Sequence, residues 1–173
     1  MALAEHPEAV RGRDETLGGS VALDRVARAI SVLADYGFIV ACVELLGVAR
    51  SKRSAKAALL RLAVVGGSVF ALNTALKKIF ATPRPETAAE PKGLVRIPTS
   101  ASFPSGHTMA AAAAAVAIPD TPAGIAVGLV GAGAVGWSRL HLGAHHKGDV
   151  AGGLLIGAGL GLACRAVLKR LAP

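Results

Sequence analysis

Three short polar clusters interrupt an otherwise apolar chain, and their residue types suit the handling of a phosphate group. The first is Lys77-Lys78-Ile79-Phe80-Ala81-Thr82-Pro83-Arg84-Pro85. The second is Pro104-Ser105-Gly106-His107, and the third is Ser138-Arg139 followed by His145 and Asp149. Lys77, Arg84 and Arg139 are fixed cations that can grip a phosphate, the arginines through paired N–H bonds. Ser105 and Gly106 stand where an apolar run begins. At a helix start, backbone N–H groups and the positive end of the dipole favour an anion, and glycine lets the backbone approach closely. His145 and Asp149 are four apart, so on a helix they share a face. The carboxylate can then hold one imidazole nitrogen and leave the other to attack phosphorus. His107 can protonate the departing oxygen. The cations stabilise charge in the transition state, where losing one donor typically costs about 100- to 1,000-fold in rate.

Each piece alone has a plainer reading. Lys77 and Lys78 can be interfacial anchors, and a single histidine is ordinary at a helix start. His141 and His146 lie near His145, and a histidine-rich loop raises the question of a metal. Asp149 is the only acid nearby, however, and no His-Glu-x-x-His or similar ligand spacing occurs. No metal and no cofactor is expected. The residues by themselves do not decide between Lys77 and Lys78, or between His145 and His146.

The elements that must carry these clusters are membrane helices. Hydrophobic residues make up 53% of the 173 and charged residues 17%, against about 25% charged in soluble domains. Aromatics are only 3%, whereas glycine alone accounts for 21 residues. Helices packed in lipid favour such small residues. The expected fold is all-α, a polytopic transmembrane bundle of about five spans. Residues 1–19 read as a polar tail without a signal peptide's apolar stretch, and 20–173 as one domain. Leu23, Val26, Ala27, Ile30 and Leu33 recur at helical spacing, so 20–29 can lie in the interface as an amphipathic helix. The spans follow as 30–49, 57–80, 105–119, 123–140 and 145–167. The third is shorter than the roughly 20 residues a straight span needs. It either starts below the surface or is buried among other helices. Asp35 and Glu44 interrupt the first span and should face the bundle interior or lie near its ends. Alternation of the spans puts the end of the second, the start of the third, the end of the fourth and the start of the fifth on one membrane face. All three polar clusters meet there.

The net charge of +8 fits basic loops between spans together with a cationic site for an anionic substrate. The basic residues lie between apolar runs, not on a soluble face, so no nucleic-acid partner is expected. Cys42 and Cys164 lie in apolar runs with neither disulfide nor metal spacing and read as buried thiols. Gly153, Gly157 and Gly161 fall four apart on one face of the last span. They form either a homo-oligomer seam or a close contact within the chain. The second is favoured, because a bundle offers many internal seams.

Taken together, the clusters resemble the type 2 phosphatidic acid phosphatases. That family's pattern is lysine, six residues, Arg-Pro; Pro-Ser-Gly-His; and Ser-Arg, five residues, His, three residues, Asp. Lys77 through Arg84-Pro85, Pro104 through His107, and Ser138-Arg139 with His145 and Asp149 match it in order and without departure. The resemblance implies that Lys77, Arg84, Ser105, Gly106 and Arg139 bind phosphate, with Pro85, Pro104 and Ser138 in support. It implies His107 as general acid, His145 as nucleophile forming a phosphohistidine, Asp149 as its support, and no metal. The family spacing selects Lys77 over Lys78 and His145 over His146. Membrane members commonly show six spans, and the stretch 20–29 would stand for the missing one. The linker between the first two motifs leaves no room for a domain over the site. The motifs also occur in soluble acid phosphatases and vanadium haloperoxidases, which the apolar spans argue against. The expected substrate is a phosphorylated membrane lipid: a polyprenyl phosphate or diphosphate, phosphatidylglycerophosphate or phosphatidic acid. The compact size resembles decaprenylphosphoryl-5-phosphoribose phosphatases, and the Ala-, Gly-, Val- and Arg-rich usage fits a high-GC bacterium. The resemblance implies a multi-pass protein of the cell membrane with an extracytoplasmic site. Phosphotransfer to another acceptor, or a non-catalytic scaffold or transporter, are the alternative readings.

Overall fold

Helix boundaries follow from local chemistry at each end. The computed structural model describes residues 8–34, 38–50, 54–85 and 99–171. Among them are six helices: α1 (Glu8–Ala34), α2 (Phe38–Ala49), α3 (Ala55–Phe80), α4 (Gly106–Ala117), α5 (Pro122–His141) and α6 (Lys147–Leu171). Ser54 caps α3 by accepting the Ala57 N–H at 3.1 Å, and Thr121 caps α5 by accepting the Gly124 N–H at 3.1 Å. Pro122 follows in the first helical position, where its missing N–H costs nothing.

The described residues form a transmembrane helix bundle without strands. By length and composition α3, α5 and α6 can each cross a membrane, and α4 is a shorter apolar helix. The third expected span is thus resolved in favour of burial. Twelve residues reach about 18 Å at 1.5 Å each, well short of the roughly 30 Å hydrocarbon core. All of α4 from Met109 on is buried except the half-buried Ala110 and Ala111.

The start of the chain differs from expectation. Helix α1 begins at Glu8, inside the stretch read as a tail, and the proposed interfacial segment 20–29 is its continuation. The single span expected over 30–49 is divided between the end of α1 and α2, with 35–37, including Asp35, outside the described residues. Glu44 does face the interior and is buried. Of the two thiols, Cys164 is buried and Cys42 is exposed, contrary to its reading.

The glycine stripe of α6 explains how α4 is held. A Cβ at Gly153 would lie 2.8 Å from the Ser105 carbonyl oxygen, at Gly157 2.9 Å from the Met109 Cα, and at Gly161 2.6 Å from the Ala113 carbonyl oxygen. The stripe is therefore filled by the chain's own α4, and this face is not an oligomer seam. Around it Val65, Val69, Met109, Ala113, Ile118, Cys164 and Leu168 make the core. At the far end of α4, Arg61 donates to the Ile118 carbonyl at 2.8 Å and Arg165 to those of Val116 and Pro119 at 3.0 and 2.5 Å. Two cations thus satisfy the orphan carbonyls at the negative end of the helix dipole.

Candidate active site

Four helix ends meet opposite those arginines. Helix α3 stops at Ala81, which takes a left-handed conformation (φ 44°) and returns its N–H to the Lys77 carbonyl at 3.1 Å. The turn sends Thr82 to Pro85 back across the bundle end. There the Thr82 carbonyl accepts the Ser102 N–H at 2.8 Å, joining the first motif to the approach of the second.

Helix α5 ends in a Schellman turn. Gly143, at φ 69°, donates to the Leu140 carbonyl and Ala144 to the Arg139 carbonyl, both at 3.0 Å. This reversal delivers His145 to the site. The residue precedes α6, which begins at Lys147, so His145 and Asp149 do not meet as neighbours on a helix face. They meet through the helix entry instead. Asp149 Oδ2 accepts the His146 N–H at 2.8 Å, the reach-back of a third-position acid to the cap. The same oxygen lies 3.4 Å from His145 Nδ1, longer than a settled hydrogen bond.

Arg84 reaches the other side of the imidazole. Its Nη1 donates to the Ala144 carbonyl at 2.8 Å and lies 3.4 Å from His145 Nε2, while its Nε donates to the Ser100 carbonyl at 2.9 Å. Lys77 Nζ donates to the Ala101 carbonyl at 2.5 Å and to Ser100 Oγ at 3.1 Å. Arg139 is buried at the end of α5 and bonded to Ser31 Oγ of α1. Burial holds His145 down to a pKa of about 3, helped by the positive charges of Arg84, Arg139 and Lys77 and opposed by Asp149. Burial also lowers Arg84 from its ordinary value, against the pull of Asp149. The imidazole is thus neutral at physiological pH. With a proton on Nδ1 toward Asp149, the lone pair is on Nε2 facing the cations, as nucleophilic attack on a phosphoryl group requires.

The second motif arrives differently from its reading in one respect. Ser105 is fully buried, its N–H donates to the Asp149 carbonyl at 3.0 Å, and its hydroxyl pairs with Thr108 Oγ1 at 2.9 Å. It does not cap the first turn of α4 with its side chain, so the start of α4 keeps its anion-attracting character. Gly106 allows the Asn73 amide to close on the helix start, where a Cβ would stand 3.1 Å from Asn73 Nδ2. His107 sits half-buried in the same turn. Pro104 is buried after a cis bond from Phe103. The Phe103 ring meets that of Phe80 at 4.9 Å and fills the space left open at Gly152. Pro85 is half-buried beside Arg84, and Ser138 is buried with its hydroxyl on the Val135 carbonyl at 2.8 Å. An adjacent pocket of about 460 Å³ is lined by Lys77, Lys78, Thr82, Arg84, Thr99 and Ser100, among others.

Two residues at the centre have no mark in the sequence pattern. Ser102 is buried and donates to Asp149 Oδ2 at 2.5 Å, with His145 Nδ1 at 3.4 Å. Ser100 gathers Lys77 and Arg84. The only available signal was proximity to Pro104-Ser105-Gly106-His107. Among the described residues, no three His, Cys, Asp or Glu side chains converge as metal ligands would.

The family model of the PAP2 superfamily matches residues 58–172, most of the chain and all three motifs. The chain belongs to the PAP2 superfamily. Among solved structures it is similar to the transmembrane PAP2-type phosphatidylglycerolphosphate phosphatase of Bacillus subtilis. The TM-score is 0.68 and the identity 27%, over 96% of this chain and 89% of that one. It also shares the fold of Aquifex aeolicus LpxE, with a TM-score of 0.62 and 20% identity over 93% and 87% of the two chains. No curated protein sequence matches it significantly. The fold likeness to a transmembrane PAP2 enzyme over nearly the whole chain agrees with the apolar helices, and this PAP2 chain is a membrane protein.

Proposed function

We propose that this PAP2 protein is a lipid phosphatase that hydrolyses a phosphate monoester or diphosphate on a membrane lipid through a phosphohistidine on His145. The observation that carries the reading is the setting of the His145 ring. A carboxylate lies at Nδ1, a guanidinium at Nε2, and burial among cations keeps the ring neutral.

In this reading Lys77, Arg84, Arg139 and the start of α4 at Ser105-Gly106 hold the phosphate oxygens. His145 Nε2 attacks phosphorus as the P–O bond to the lipid breaks, and His107 gives its proton to the departing oxygen. Asp149 supports the positive charge that develops on the imidazole. Water then attacks phosphorus, His107 takes its proton, the P–N bond breaks, and inorganic phosphate leaves. No step calls for a metal. The motifs lie at the bundle end opposite Arg61 and Arg165. Basic residues at that opposite end favour it as the cytoplasmic side, those on the site's own face partly offset them, and the family resemblance supports an extracytoplasmic site at the surface of the cell membrane.

The relative from Bacillus subtilis is named for phosphatidylglycerolphosphate, and that lipid heads the set of candidates with phosphatidic acid and polyprenyl phosphates and diphosphates. The purified protein in proteoliposomes should release inorganic phosphate from at least one of these, and His145→Ala should release none. Absence of release from every lipid in the set contradicts the hydrolase assignment.

A further inference from the structure

Helix α1 touches the site through one face. Asp24, Ala27 and Ser31 are spaced three and four apart, so they form a stripe on that helix. Ala27 and Ser31 are buried. All of this happens at the last turn of α5, which carries the Ser138-Arg139 pair. Asp24 Oδ1 lies 2.7 Å from His141 Nε2, with both side chains largely shielded from solvent. The His141 ring stacks on Trp137 at 5.1 Å. Two helical turns further along α1 from Asp24, Ser31 Oγ receives the Arg139 Nη1–H.

We infer that α1 is a working part of the phosphate site, with Ser31 as a positioning residue that aims the Arg139 guanidinium and the Asp24–His141 pair as the anchor that holds the two helices in register. The inference rests on the proposed role of Arg139 as a phosphate ligand. Its physical basis is that arginine has a planar fork that grips an oxyanion in one orientation. A guanidinium buried on a long flexible stem loses that advantage unless a second group fixes its plane. Ser31 is such a group, and it comes from outside the segment that carries the family motifs.

The test measures affinity for inorganic phosphate through the phosphate-dependent rise in unfolding temperature of the full-length protein in detergent, which needs no turnover. Ser31→Ala should weaken phosphate about tenfold, the scale of one charge-assisted hydrogen bond, and Ser31→Thr should restore most of it. In an Arg139→Ala background the Ser31→Ala change should have no further effect, because a positioning residue acts only through the group it positions. A Ser31→Ala protein that unfolds earlier but binds phosphate as the wild type does overturns the inference, as does an equal loss in both backgrounds. Arg139→Ala with undiminished phosphate affinity overturns it by a separate route, by removing the phosphate-ligand role on which it stands.

Discussion

Asp149 Oδ2 is shared by Ser102 Oγ at 2.5 Å, the His146 N–H at 2.8 Å and His145 Nδ1 at 3.4 Å. The Ser102 hydroxyl and the His146 N–H thus both donate to the oxygen that faces the imidazole. The arrangement makes His145 an unusual titrating group. Its folded-state pKa of about 3 lies below the ordinary value near 6.5. The unfolded chain therefore binds this proton first as pH falls. Keeping the ring neutral costs no stability above about pH 6.5, and stability is lost as pH falls from there toward 3. We expect the His145 ring of the substrate-free protein to remain neutral from pH 8 to pH 4.5 in a histidine-selective NMR titration, assigned by its absence in His145→Asn. A midpoint near 6.5 contradicts the burial and the cation cluster described above. At this scale the sequence was informative about chemistry and silent about support. Lys77, Arg84, His107, His145 and Asp149 stood out as candidates because ionisable groups at the ends of apolar runs are conspicuous, and the family resemblance chose Lys77 over Lys78 and His145 over His146. Ser100, Ser102 and Ser31 did not, because a serine that donates one hydrogen bond looks like any other serine until the chain is folded.

At the scale of the helix, the pairing of α4 with α6 governs the geometry of the second and third motifs together. Ser105 begins α4 and Asp149 lies in the first turn of α6, and they are joined by the Ser105 N–H to Asp149 carbonyl bond of 3.0 Å. Small residues on both helices make that distance possible. Gly157 faces Met109, whose Cα would lie 2.9 Å from an added Cβ. Backbone cannot yield as a flexible side-chain end can, so Gly157→Val must push the helices apart. We expect a loss of about 1–3 kcal/mol, the usual range for overpacking, read as a lower unfolding temperature in detergent. Gly159, with open space around it, should accept valine with little change. Equal effects at the two positions contradict the packing. The period of four was visible in the sequence, but its partner was not. Periodicity locates a face, whereas the choice between a second copy and α4 depends on the tertiary arrangement. The same limit applies to α1. Its later part showed a helical period from Leu23 to Leu33, but its polar first turns showed none, and they continue the same helix back to Glu8.

Over the whole molecule, alternation of helices does what no single helix can. It brings the end of α3, the start of α4, the end of α5 and the start of α6 to one face, and places Arg61 and Arg165 at the other. That much follows from counting apolar runs between the motifs, an argument that holds whatever the exact number of spans. It survives the division of the first expected span into α1 and α2, since neither carries a family motif. The reverse turn at Gly143 was harder to read, and with it the position of His145 just outside α6. The convergence matters because it brings His145, Asp149 and the cations Lys77, Arg84 and Arg139 to one end of the bundle, as the proposed phosphoryl chemistry requires. The most direct test is to mix the purified protein with a lipid carrying radiolabelled phosphate, quench within milliseconds, and map the label by mass spectrometry. Alkali-stable, acid-labile phosphate on His145, absent in His145→Ala, is the predicted result. Rapid phosphate release by the wild type with no label on any histidine, or undiminished release by His145→Ala, would contradict the account.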